Sequence, residues 1–113
     1  MDAPADLRVI SVDELRRQLA SGTPPLVIDV RRKARYLEAP DRIAGARRRD
    51  PDRVESWKAE LPAPGDVVVY CVYGHEVSQG AARALGARYL EGGIEAWRAA
   101  GGALEPRPGQ ADE

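Results

Sequence analysis

The chain has 113 residues, 43% hydrophobic and 31% charged, with a formal net charge of −1. That size holds one domain with one core, the charge balance gives no general attraction to nucleic acid or a membrane surface, and no apolar run approaches the roughly 18 residues of a spanning helix. A single cysteine and a single histidine exclude an intramolecular disulfide, a multi-cysteine metal site and a histidine-cluster metal centre, so neither a metal nor another cofactor is expected.

Residues 1–7 read as a polar, acidic extension rather than a basic-then-apolar leader, and a cytoplasmic location is expected. A first strand falls within residues 7–10. Ser11 followed by Glu14 is a capping-box pattern; it opens a helix that buries Leu15 and Leu19 and stops at Gly22. Thr23, Pro24 and Pro25 then break the chain. The run LVIDV at 26–30 lacks polar alternation, which suits a parallel strand covered on both faces. Asp29 inside it needs a partner. Arg31 is the nearest candidate and a later loop is equally open, and a structural role for the pair outweighs a catalytic one.

Residues 31–53 are the basic part of the molecule, nine arginines and lysines against four acids. With fifteen arginines and two lysines overall, compositional bias accounts for the patch, and a solvated surface is expected rather than a field that steers an anionic substrate. The aromatic interleaving of nucleic-acid surfaces is absent. A short helix is expected at 34–38 and a turn at 43–46 into a brief edge strand near 47–49. Asp50 and Pro51 start a helix with Val54, Trp57 and Leu61 on one buried face, which ends at the PAPG run 62–65.

Residues 66–78, DVVVYCVYGHEVS, organise the rest. Val67–Tyr70 reads as a central parallel strand ended by Cys71. Six loop residues, 72–77, follow with Gly74 in their middle, and Ser78 reads as the N-cap of a helix over 78–85. Gly80 costs that helix about 1 kcal/mol relative to alanine, which points to close packing on the sheet or close approach to its first turn. The first N–H groups of the helix and those of the curled loop lack partners within the helix and can converge on one point. A sulfur placed there feels the positive end of the helix dipole, which favours thiolate over thiol. The competing reading is a small buried hydrophobe at a strand end; the glycine-bearing loop and the capped helix behind it favour the reactive cysteine. With no second cysteine to resolve it, any sulfur taken up by Cys71 must pass to another molecule.

A last strand is expected at 87–90, a Glu-Gly-Gly turn at 91–93, and a helix over 94–100 with Ile94 and Trp97 facing the core and Gly101 and Gly102 ending it. Residues 103–113 read as a flexible tail. The alternation makes residues 8–102 an α/β domain, whose right-handed crossovers put ligand sites at the carboxyl ends of the strands, where Cys71 stands.

Four segments, LVIDVR at 26–31, IAGA at 43–46, VVVYC at 67–71 with its loop through Gly74, and YLEGG at 89–93 followed by Trp97, together resemble the single-domain rhodanese family of sulfurtransferases over residues 8–102. The resemblance implies a three-layer fold, a central five-stranded parallel sheet flanked by helices. It implies that the cysteine attacks a sulfane sulfur, holds it as a persulfide among loop N–H groups and yields it to a thiophilic acceptor. Carried onto this chain, Cys71 is the nucleophile and the backbone of Val72, Tyr73, Gly74, His75, Glu76 and Val77 binds the substrate, with Asp29, Arg31 and Ser78 as structural support. The partners implied are a small-molecule sulfur donor, a thiol or cyanide acceptor and an acceptor protein, without nucleic acid or membrane.

Two positions depart from the pattern. Many thiosulfate-using members have a basic residue five positions after the cysteine, where this chain has Glu76. A carboxylate there opposes thiolate formation and the approach of a dianion, so a glutathione or protein persulfide is expected as donor in preference to thiosulfate. His75 either offsets Glu76 and donates a proton or is a solvated loop side chain. Val77 stands where related folds with phosphatase or arsenate-reductase chemistry place an arginine, so phosphoryl chemistry is not expected. The alternative from another class is a non-catalytic binding or regulatory module that presents the loop to a protein partner.

Overall fold

The computed structural model describes residues 7–107; the readings of residues 1–6 and 108–113 lie outside the described residues. In chain order the elements are β1 (Arg8–Ile10), α1 (Val12–Leu19), β2 (Leu26–Asp29), α2 (Lys33–Glu38), β3 (Asp41–Ile43), β4 (Arg47–Arg48), α3 (Val54–Trp57), β5 (Val67–Tyr70), α4 (Glu76–Leu85), β6 (Arg88–Leu90), α5 (Gly93–Ala99) and β7 (Leu104–Pro106). The expected parallel sheet is present: five strands in the order β1-β6-β5-β2-β4, every neighbouring pair parallel.

The apolar runs explain the order. β5 is buried at all four positions, so both its faces are covered, and its side chains alternate with the period of two that a pleated strand imposes. Val67 and Val69 pack with Val54 and Trp57 of α3 and Ala81 and Ala82 of α4. Val68 and Tyr70 pack on the other face with Leu15 of α1 and Ile94 and Trp97 of α5. Helices therefore sandwich the sheet. β2 lies beside β5 with Leu26 opposite Val67 and Asp29 opposite Tyr70, which sets their carboxyl ends side by side.

Local signals behave largely as read. Ser11 Oγ accepts from the Glu14 N–H at 3.1 Å, and Asp50 Oδ1 accepts from the Asp52 N–H at 2.9 Å in a 3-10 turn over Pro51–Arg53 that leads into α3. Trp57 is in the core. Among the described residues no helix is long and apolar enough to cross a membrane.

Two expectations are corrected. Part of the expected tail is structured: β7 pairs antiparallel with β3, with Ile43 opposite Leu104 and Asp41 opposite Pro106. Arg42 Nε reaches Glu105 Oε2 at 2.7 Å, and Trp97 Nε1 donates to Ala103 O at 2.8 Å. A three-residue strand with one aliphatic side chain has no periodicity to read; its partner, with Arg42 standing 63 residues before Glu105, fixes it. Gly80 is exposed, and a Cβ there would meet nothing within 4 Å. The close packing expected at Gly80 is absent, because that face of α4 points to solvent.

Candidate functional site

Cys71 follows β5 directly and is 6% exposed. It lines a pocket of about 210 Å³. One wall is the loop and first turn of α4, with Val72, Tyr73, His75, Glu76 and Val77; the other is Arg31, Arg32 and Arg35 at the carboxyl end of β2 and the start of α2. Larger hollows, about 370 and 690 Å³, lie at the opposite edge of the sheet beside Val67 and Leu26 and hold neither cysteine nor histidine.

Hydrogen bonds from α5 and α4 shape the loop. The carbonyls of Cys71 and Val72 accept from the N–H groups of Ile94 and Glu95 at 3.0 and 3.1 Å. These peptides are trans, and in a planar trans peptide N–H and C=O point opposite ways, so the N–H groups of Val72 and Tyr73 point away from α5. Gly74 is buried with φ +75°, and a Cβ there would lie 2.7 Å from Gly92 N and 2.8 Å from Leu90 O. Gly93, at φ +63°, is as tight: a Cβ there would lie 2.4 Å from Val72 O. Only glycine allows this approach. The Gly74 carbonyl accepts from Gln79 Nε2 at 3.0 Å, which turns the His75 N–H away from Gln79.

Ser78 is not the helix N-cap. With Gly74 in the left-handed region, α4 begins at Glu76 with His75 at the cap position, whose side chain makes no capping bond. The first α4 bond runs from the Gln79 N–H to the carbonyl of the cap residue, His75 O, at 3.0 Å, and the amides of Glu76, Val77 and Ser78 precede it without intrahelical partners. Ser78 instead sits fully buried in the first turn, and the Cys71 thiol donates to its Oγ across 3.1 Å.

Beneath the pocket, Asp29 and Arg31 pair with each other rather than with a later loop. Arg31 follows Asp29 by two residues, the spacing that puts side chains on one face of an extended chain: Nη2 meets Oδ2 at 2.6 Å and Nε is 3.0 Å from both carboxylate oxygens. Tyr70 Oη donates to Asp29 Oδ2 at 3.0 Å and accepts from the Ile43 N–H at 3.1 Å, while Arg31 Nη2 also donates to Asp41 O at 3.0 Å. Burial opposes the charge on Arg31, but the hydrogen bonds and field of Asp29 prevail and hold its pKa above the ordinary arginine value. Burial, and then the Asp29 charge, push the Tyr70 phenol well above its usual 10. These groups stay, respectively, cationic and neutral.

The basic segment divides. Arg49 and Arg53 pair with Glu60 and Asp50 on the surface, as a solvated face would. Arg31, Arg32 and Arg35, by contrast, share the Cys71 pocket. Arg32 is tied to Asp52 at 2.8 Å, whereas Arg35 and Glu76 are exposed and have no hydrogen-bond or ion-pair partner among the described residues. Tyr73, 60% exposed, stands at the rim with its ring centroid 6.1 Å from that of His75. The sequence pointed to Arg31 as support but not to Arg32 and Arg35 as pocket residues, nor to the contributions of Gln79, Gly92 and Gly93. A signal for the arginines existed: neighbouring parallel strands put their following turns on one edge, so the residues after β2 and after β5 had to meet.

A family model for the rhodanese-like domain matches residues 11–100. No curated protein matches. Among solved structures, the rhodanese-like domain of an Anabaena protein is 26% identical with a TM-score of 0.72, over 99% of this chain and 89% of that one. A rhodanese-like domain protein from Staphylococcus aureus is 23% identical with a TM-score of 0.72, over 90% of this chain and 100% of the other. A Rhodopseudomonas palustris protein named as a possible tyrosine phosphatase is 25% identical with a TM-score of 0.70, over 88% and 85%. With its parallel five-stranded sheet and a match over residues 11–100, the chain belongs to the rhodanese-like domain family.

Proposed function

We propose that this protein is a sulfurtransferase that carries a sulfane sulfur as a persulfide on Cys71. The Cys71 thiolate attacks the outer sulfur of a donor R–S–SH; a Cys71–S–S bond forms, the donor S–S bond breaks, and its electron pair leaves as R–S⁻. Attack by a thiolate or cyanide on that outer sulfur then regenerates Cys71 as thiolate. No net oxidation occurs, and no cofactor is needed. The observation that carries this reading is the position of Cys71 at the carboxyl end of β5, opening on a pocket before the unpartnered first-turn amides of α4, with Ser78 Oγ at 3.1 Å. Donors fixed in advance around the sulfur stabilise an anion without reorganising, and in the thiolate state the Ser78 hydroxyl becomes one of them.

Glu76 in the lining of the Cys71 pocket favours a glutathione or protein persulfide over the thiosulfate dianion. Val77 in the first turn offers no guanidinium to a phosphoryl oxyanion, so phosphatase chemistry is not proposed. The lone thiol suits the cytoplasm, where thiols are kept reduced. A second reading, a non-catalytic module binding a protein through the loop, draws on the exposed Tyr73 and on Glu76. Turnover separates the two. With glutathione persulfide and cyanide, the wild type is expected to release thiocyanate catalytically and Cys71→Ser to release none above background; equal rates would favour the module.

A further inference from the structure

The charges that line the Cys71 pocket differ in how far they are already engaged. Arg31 is committed to Asp29 and to the Asp41 carbonyl, and Arg32 to Asp52. Arg35 is therefore the pocket guanidinium without a partner among the described residues, and Glu76, across the pocket on the first turn of α4, is a carboxylate in the same condition. The two line one pocket and yet form no ion pair with each other. Val72 and Val77 contribute apolar surface to the lining, which weakens solvent screening of charges brought into it.

From this we propose, resting on the sulfurtransferase reading above, that the pocket selects a sulfur donor with both a carboxylate and an ammonium, an α-amino-acid persulfide, Arg35 meeting the carboxylate and Glu76 the ammonium. A dianion gains from Arg35 and loses to Glu76, and a cation does the reverse. Only a zwitterion gains from both. A volume of about 210 Å³ lies below the range of drug-sized pockets, which suits one amino-acid headgroup. The transfer balances as written above: the outer sulfur moves to Cys71 and the donor leaves as the thiolate of the free amino acid.

Three donors isolate the headgroup: the persulfides of cysteine, of 3-mercaptopropionate, which lacks the ammonium, and of cysteamine, which lacks the carboxylate. The rate of gain of one sulfur atom on Cys71, followed by intact mass, is expected to be about tenfold or more higher with cysteine persulfide than with either truncated donor, the effect of one charge-assisted hydrogen bond. Arg35→Gln should narrow the cysteine-to-cysteamine preference about tenfold, and Glu76→Gln the cysteine-to-mercaptopropionate preference by a similar factor. Lys33→Gln, on the same helix but outside the pocket lining, should change neither ratio, which separates local contact from general charge. Equal loading from all three donors, or ratios unmoved by both pocket variants, would overturn the zwitterion proposal and leave the sulfurtransferase reading standing. No sulfur gain from any donor, thiosulfate included, would overturn both.

Discussion

Tyr70 shows how one side chain links the core to the site. Its ring fills the centre of one sheet face, and its hydroxyl ties the Asp29 carboxylate to the backbone of Ile43. Asp29 in turn fixes Arg31 at the floor of the pocket. Tyr70→Phe keeps the ring and removes the bridge, leaving the buried Ile43 N–H without its acceptor and Asp29 with one donor fewer. The expected cost is about 1–3 kcal/mol, read as a lowered urea midpoint at unchanged slope; an unchanged midpoint would show that the bridge is replaceable. At this scale the sequence was partly legible. A carboxylate inside an apolar strand demanded a partner, and Arg31 was the nearest, but Tyr70 stood forty-one residues away with no local sign that its hydroxyl would join the pair. Ser78 misled because its residue type suits a cap, while the actual helix start was set by backbone angles at Gly74 and His75.

Among the elements, α4 and its entry loop contain two glycines of opposite meaning. At Gly74 a methyl group would collide with the backbone of Leu90 and Gly92 and be held at φ +75°; Gly74→Ala is expected to cost at least about 2 kcal/mol and to impair loading of Cys71. Gly80 lies within the helix with open space around it, so Gly80→Ala should stabilise by about 0.5–1 kcal/mol. Thermal melts of the two variants test both; shifts of the same sign would contradict the assignment. Spacing alone revealed that each glycine interrupts a pattern. It did not reveal which one faces another backbone, because that depends on α5 packing against the loop. The continuous apolar runs of β2 and β5 were readable for the contrary reason, that burial on both faces leaves no polar alternation in the strand itself. β3 and β7 are too short to carry a pattern and are fixed by partners distant in the chain: each other, Arg42 with Glu105, Tyr70 with Ile43, and Arg98 with Asp41.

For the whole molecule, sheet order is what brings the functional groups together. Because β2 and β5 are parallel neighbours, the arginines after one and the cysteine after the other share an edge. α5 is also fastened to β3 by a two-pronged ion pair, Arg98 Nη1 to Asp41 Oδ2 at 2.7 Å and Nη2 to Oδ1 at 3.0 Å. The Arg98 hydrogen bond holds the Asp41 carboxyl below its usual 3.8. A carboxyl whose pKa is lowered on folding adds stability above its unfolded value and loses it as pH falls through the folded one. Asp41→Asn is therefore expected to cost about 0.5–1 kcal/mol near neutral pH, the scale of a solvent-screened pair, and the gap to the wild type should close as pH falls below 3.8. Urea titrations at neutral and acid pH test this, and a gap that widens on acidification would refute it. The claim on which the functional account rests is that Cys71 takes up sulfur. Intact-mass analysis of protein incubated with glutathione persulfide tests it most directly: the account predicts a gain of one sulfur atom that maps to Cys71, is removed by cyanide and is absent in Cys71→Ser, whereas an unchanged mass with glutathione persulfide, cysteine persulfide and thiosulfate alike would contradict it.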